Sequence, residues 1–153
     1  MAARVGIGYD SHRLAEGETL ILGGVEIAHE AGLEGHSDAD VLTHAVIDAL
    51  LGSCGLGDIG TLFPPDEEQW RGADSFDLLR IVLGRLPGRP VNVDATIICE
   101  RPKLAPHRAE MEARLSQALS APVSVKATTN EGMGAIGRGE GIAAMAVVAV
   151  ETG

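Results

Sequence analysis

The stretch HSDADVLTHAVIDALLG, residues 36–52, decides the fold class. Val41, Leu42, Ala45, Val46 and Ala49 recur at three- and four-residue spacing, the period of an α-helix with one apolar side. Ser37 or Asp38, just ahead of that stripe, offers a side-chain oxygen to the orphan N–H groups of a first turn. The pattern therefore predicts a helix capped there and running to about Leu51, with its other face polar.

Such a stripe needs a surface to cover, and strand patterns lie on both sides of it in the chain. Residues 4–10 read as a strand ending in polar side chains. Residues 19–27, TLILGGVEI, read as a hairpin in which Gly23 and Gly24 supply the positive φ of a two-residue turn. Asp74 or Ser75 caps a helix over residues 76–86, which stops at Pro87-Gly88. Residues 91–99 are strand-like. Residues 105–120 are helical, with Met111, Leu115 and Leu119 at four-residue spacing, and residues 123–128 are a strand again. Residues 142–151 are apolar on both faces, as in a central strand or one covered by a neighbouring subunit. The expected fold is α+β: a single domain over residues 1–153, with a mixed four-stranded sheet, helices on one face and a small hairpin.

Composition narrows the function classes. Hydrophobic residues make up 45% of the 153 and aromatic residues 3%, so aliphatic side chains fill the core. A formal net charge of −10 repels phosphate backbones and anionic lipid surfaces, which argues against nucleic acid and membrane as partners. The opening residues carry no apolar signal segment, and a cytoplasmic location is expected. Cys54 and Cys99 form no C-x-x-C pair and are expected to be thiols.

Five segments carry candidate chemistry. In Asp10-Ser11-His12 two ligand-type side chains stand two apart on an extended segment and so share a face. Asp40, His44 and Asp48 recur every four residues on one helical face; this describes a solvated face as readily as a third metal ligand, His44, with carboxylate neighbours orienting its ring. Asp10, His12 and His44 together would leave one tetrahedral position open, as a catalytic zinc requires. In KATTNEGMGAIGRGEG, residues 126–141, Thr128, Thr129 and Asn130 offer hydrogen-bond donors and Glu131 a hard oxygen ligand, while Arg138 and the glycines suit phosphate; a plain hairpin loop fits the same letters. The turn around Asp58, Ile59 and Gly60 places a carboxylate where ribose hydroxyls can reach it. The ERPKLAPHR loop offers backbone groups for a base edge and Lys103 for a phosphate. His36 stands just before the expected cap, a position that favours anions. His29 and His107 show no clustering. The common hydrolase motifs are absent.

Taken in order, GYDSHR, ILGGV, EGHSDADVLTHAVIDALLG, GDIGTLFP, GADS, ERPKLAPH and KATTNEGMGAIGRGEGIA make the chain resemble the 2-C-methyl-D-erythritol 2,4-cyclodiphosphate synthase family over nearly its whole length. The resemblance implies cyclisation of 4-diphosphocytidyl-2-C-methyl-D-erythritol 2-phosphate with release of CMP, an intramolecular phosphoryl transfer of non-mevalonate isoprenoid biosynthesis. It implies zinc on Asp10, His12 and His44, and magnesium or manganese on Glu131 beside the diphosphate. By the same resemblance His36 and Thr129 steady the transition state, Ser37 and Thr128 contact substrate, and Asp58 and Gly60 hold the ribose. Residues 99–105, including Cys99, Pro102, Lys103, Leu104 and Ala105, form the cytosine pocket. Ser11, Ile59, Asn130 and Arg138 complete the substrate set, in a homotrimer with active sites between subunits. Ala135 stands where relatives often carry a bulky apolar residue, and Pro65-Asp66-Glu67 replaces Asp-Thr-Asp. The rival readings are a zinc phosphohydrolase, in which metal-bound water attacks, and a non-catalytic trimer that binds a cytidine nucleotide or an isoprenoid phosphate.

Overall fold

The computed structural model describes residues 2–153. Its main sheet is built on β1 (Ala2–Glu16) and β7 (Gly141–Thr152), which pair antiparallel from Ala2 opposite Thr152 to Arg13 opposite Gly141. On the far side of β7 lies β5 (Gly88–Ile98), antiparallel to it, and outside β5 lies β6 (Val123–Thr128), parallel to β5. A parallel neighbour needs a crossover, and α4 (Arg108–Leu119) provides it. Ladder pairing slips beside Pro90, which has no N–H to donate.

The expected four-stranded sheet has a fifth strand. Residues Ala31–Leu33 form β4, paired antiparallel with the end of β1, so the order is β4-β1-β7-β5-β6. Three residues cannot show an alternation, and only their backbone pairing reveals them. The hairpin stands apart as β2 (Leu20–Leu22) and β3 (Val25–Ile27), with Gly23 and Gly24 at φ 58° and 75°. The remaining helices are α1 (Val41–Ser53), α2 (Ile59–Leu62), α3 (Ser75–Arg85) and α5 (Gly134–Gly137). Asp74 caps α3, and its side chain accepts the N–H of Phe76. None of the helices is long and apolar enough to cross a membrane among the described residues.

One expectation about α1 is corrected, and of the two readings open for its polar face the solvated one falls. Its cap is Asp40, two residues beyond the nearer of the two expected, and its polar face is not solvated. Asp40 is fully buried; it takes the N–H groups of Gly23, Gly24 and Thr43 and the Thr43 hydroxyl, tying the hairpin turn to the helix start. Burial raises its carboxyl above the ordinary range. Side chains from Val41 to Leu51 are buried nearly all round, because the sheet lies under the helix and α3 and the hairpin lie over it.

Helix and sheet approach closely because β1 turns two glycines toward α1. A Cβ on Gly6 would lie 1.9 Å from the Ala49 carbonyl oxygen. The alternate side chains of β1 point the other way: Val5, Ile7 and Tyr9, with Met145 and Val147 of β7, leave the opposite sheet face apolar and 41 to 70% exposed.

Candidate metal centre and its pocket

β1 carries Asp10 and His12 on one face, and α1 brings His44 over them. The three ligand atoms form a triangle: Asp10 Oδ2 to His12 Nε2 is 2.9 Å, Asp10 Oδ2 to His44 Nδ1 is 3.1 Å, and His12 Nε2 to His44 Nδ1 is 3.3 Å. A tetrahedral ion with bonds near 2.0–2.1 Å spaces its ligands about 3.3 Å apart, so the triangle has the size of one face of such a site. Among the described residues no other set of three histidines, cysteines or carboxylates converges in this way.

The protons agree with the distances. His12 Nδ1 lies 3.1 Å from the Glu34 carbonyl oxygen, which can only accept, so the ring proton belongs on Nδ1 and Nε2 presents a lone pair to the centre. A carboxylate oxygen and two imidazole nitrogens thus face one point. Without a cation the cluster holds itself together by sharing protons. Burial tends to raise the Asp10 carboxyl, but hydrogen bonds from His12 and His44 outweigh it and bring the pKa down to about 2. Burial tends to lower His12, and the hydrogen bond and charge of Asp10 raise it above its ordinary value. The donor set, two nitrogens and one oxygen with an open fourth side, fits zinc or a similar divalent ion.

That open side gives onto a cavity of about 230 Å³ lined by Asp10, His12, His36, Ser37, His44, Ile59 and Gly60. Its far wall is apolar: Phe63, Pro65, Trp70 and Leu78, with the Phe63 and Trp70 rings edge to face at 4.9 Å. Sequence reasoning missed this wall, although the chain's single tryptophan was a signal for it. His36 is not at a helix start, since α1 begins at Val41; its Nε2–H donates to the Glu67 carbonyl and its own carbonyl accepts the Gly72 N–H, which tethers the loop after Phe63. The GDIG segment, expected as a turn, leads into α2. Asp58 caps it by accepting the N–H and hydroxyl of Thr61, and those bonds hold its carboxyl below the ordinary value. Asp48 does not orient His44; it accepts the N–H of Ile59 at 2.8 Å and so joins α1 to α2.

The other predicted residues lie elsewhere on the chain. Cys99, Pro102, Lys103, Leu104 and Ala105 line a second hollow of about 220 Å³ together with Thr128 and Thr129. Burial pushes the Cys99 thiol up to about 11. Ser11 borders a third hollow with Ala135 and Glu140. Asn130 and Glu131 are exposed in the loop after β6, the Glu131 N–H donating to Thr129 Oγ1. Arg138 is paired with Glu140 at 2.5 Å. One chain therefore assembles the metal triangle with His36, Ser37 and the Asp58 turn, and keeps the 99–105 and 128–131 segments apart from it.

The YgbB family model matches residues 3–151. A protein of Salinibacter ruber named 2-C-methyl-D-erythritol 2,4-cyclodiphosphate synthase is 56% identical over 155 aligned residues, covering 97% of this chain and 99% of that one. The solved structure of a synthase of that name in a CDP-bound form superposes with a TM-score of 0.87 at 37% identity, covering 97% of this chain and all of that one. The bifunctional IspDF of Campylobacter jejuni superposes with a TM-score of 0.94 at 37% identity; this chain covers 43% of its length.

Proposed function

The chain belongs to the YgbB family, and from that premise we infer that it does what its relatives are named for: it converts 4-diphosphocytidyl-2-C-methyl-D-erythritol 2-phosphate to 2-C-methyl-D-erythritol 2,4-cyclodiphosphate and CMP. An oxygen of the 2-phosphate forms a bond to the erythritol-side phosphorus of the diphosphate, the bridging bond to the cytidyl phosphate breaks, and CMP leaves. No water is consumed, so the reaction is that of a phosphorus–oxygen lyase.

The observation that carries this reading is the convergence of three lone-pair atoms, Asp10 Oδ2, His12 Nε2 and His44 Nδ1, on the wall of a cavity that also holds His36 and Ser37. When bound, zinc there and magnesium or manganese beside Glu131 supply charge neutralisation to the two phosphate groups. The chain's own residues do the rest by placement. His36 and Thr129 face the reacting phosphates, Ser37 and Thr128 contact the substrate beside them, Ser11 belongs to the same substrate set, and the Asp58–Gly60 turn takes the ribose. The 99–105 loop reads cytosine through its backbone, with Lys103 near a phosphate and Asn130 and Arg138 shaping the glycine-rich side.

The separation of the two hollows within one chain supports a homotrimer in which one subunit's 99–105 and 128–131 segments complete a neighbour's metal pocket. The exposed apolar face of β1 and β7 is the surface such an assembly would cover. Residues 1–153 act as one domain in this reading. The free thiols of Cys54 and Cys99 are in keeping with the cytoplasm.

Incubation of zinc- and magnesium-loaded protein with the cytidyl substrate, followed by phosphorus NMR, tests the reading. Cyclic diphosphate and CMP in equal amounts are expected. Linear hydrolysis products alone would make it a phosphohydrolase, and binding of cytidine nucleotide without turnover would make it a carrier.

A further inference from the structure

GADS, residues 72–75, is a motif to which the reaction assigns no task, and its serine lies behind the metal triangle. Ser75 begins α3, is fully buried, and places its Oγ 2.8 Å from His44 Nε2, the ring nitrogen that faces away from Asp10 and His12. Behind Ser75 stands Asp38. Its Oδ1 accepts the Ser75 hydroxyl and, at 3.1 Å, the Asp40 N–H, and its Oδ2 accepts the Ser75 N–H at 2.9 Å.

Counting protons along this chain leaves one arrangement. Every contact of the Asp38 carboxylate is one in which it accepts, so the Ser75 hydroxyl proton points to Asp38. Ser75 Oγ can then only accept from His44, so in the neutral imidazole that binds an ion the ring proton is on Nε2 and Nδ1 is the lone pair. Nδ1 is the atom 3.1 Å from Asp10 Oδ2 and 3.3 Å from His12 Nε2. Ser37 Oγ, 3.1 Å from the same Nε2, offers a longer second acceptor and no carboxylate behind it.

We propose that Asp38 and Ser75 are positioning residues of the metal site, a carboxylate–hydroxyl relay that fixes the ring orientation and tautomer of His44 so that Nδ1 faces the ion. A ligand histidine usually donates its other N–H to a carboxylate, carbonyl or water, and here a serine carries that contact to a carboxylate 37 residues away in sequence. The inference deepens the metal reading above and rests on it.

Zinc affinity measured by competition with a chromophoric chelator tests it on the intact protein, its Ser75→Ala and Asp38→Asn variants, and the double variant. Each single variant is expected to lose about ten- to a hundredfold in affinity, and the double variant no more than the weaker single one, because the two residues act in series. A structural role alone would lower the melting temperature of the metal-free protein and leave zinc affinity per folded molecule unchanged; that result overturns the relay, as does additive loss in the double variant. An unmodified, nitrogen-15-labelled, zinc-loaded sample gives a check that no variant's folding can spoil. A proton on His44 Nε2 is expected, and a proton on Nδ1 with zinc on Nε2 overturns the proposal. If the unmodified protein binds no zinc, the metal reading itself falls; if it binds zinc and the variants bind it equally well, only the relay falls.

Discussion

A Cβ on Gly8 would lie 1.9 Å from the carbonyl oxygen of Ala45. Gly8 stands two residues before Asp10 on β1, and Ala45 follows His44 on α1, so the backbone contact between them sets the gap across which the metal triangle closes. Gly8→Ala must push strand and helix apart, since backbone on both sides cannot step aside as a flexible side chain would. A loss of about 3 kcal/mol in urea denaturation is expected, with weakened zinc binding in whatever folds. Gly84, exposed in α3 with nothing near its Cβ position, is the contrast. Gly84→Ala is expected to gain about 0.5–1 kcal/mol and leave zinc affinity alone.

The shifted ligands give opposite pH dependences for stability and metal binding. In the metal-free protein the contribution of Asp10, whose pKa is lowered, is fully present above its ordinary 3.8 and is lost as pH falls through about 2. The contribution of His12, whose pKa is raised, is fully present below its ordinary 6.5 and is lost as pH rises through the raised value. The metal-free melting temperature should therefore gain most from this cluster between about pH 4 and 6.5. Zinc must displace the His12 proton, so its affinity should fall about tenfold per pH unit below the raised value and level off above it. Chelator competition and thermal melts across pH check both slopes; Asp10→Asn should flatten the stability dependence and move the break in zinc affinity to lower pH.

Ile7→Glu with Val147→Glu places two charges on the exposed apolar sheet face. If that face is where copies meet, sedimentation velocity should show monomers in place of trimers. The same variant should still bind one zinc per chain, because all three proposed ligands come from one subunit, yet turn over no substrate if the 99–105 and 128–131 segments complete a neighbour's site as proposed. Trimers and undiminished turnover would refute this arrangement.

Asp40→Ala strands the N–H groups of Gly23, Gly24 and Thr43 together with the Thr43 hydroxyl. Each such group left without an acceptor costs about 1–3 kcal/mol, partly relieved by entering water, so a total loss of about 3–5 kcal/mol is expected in denaturant titration. The hairpin amides should lose protection from hydrogen exchange before those of β7.

Features carried by short-range rules were legible in the sequence. Gly23-Gly24 specified its turn, the cap of α3 was narrowed to Asp74 or Ser75, and the apolar run after Gly141 marked a strand that is central or covered, because each depends on neighbours within a few residues. Asp10 and His12 shared a face by strand alternation alone. What was hidden depends on segments that meet only after folding. β4 is too short for a pattern, and the polar letters of α1 look solvated until the hairpin and α3 cover them. Asp40 and Asp48 look like partners of His44 by helical spacing, yet one holds a turn and the other holds α2; the acceptor His44 uses comes from α3. The tautomer of His12 likewise hangs on a carbonyl of Glu34, 22 residues away.

Cys99 follows β5 with its Sγ 3.2 Å from the Arg101 carbonyl oxygen, and burial pushes its thiol up to about 11. At neutral pH such a thiol stays almost wholly protonated. Because the thiolate is the form that alkylating and disulfide-exchanging reagents attack, Cys99 is slow to react in the native protein. Cys54, half-buried at the end of α1, is then the position at which a maleimide dye or spin label would attach. The chain thus carries one natural handle for single-site labelling, at the end of α1.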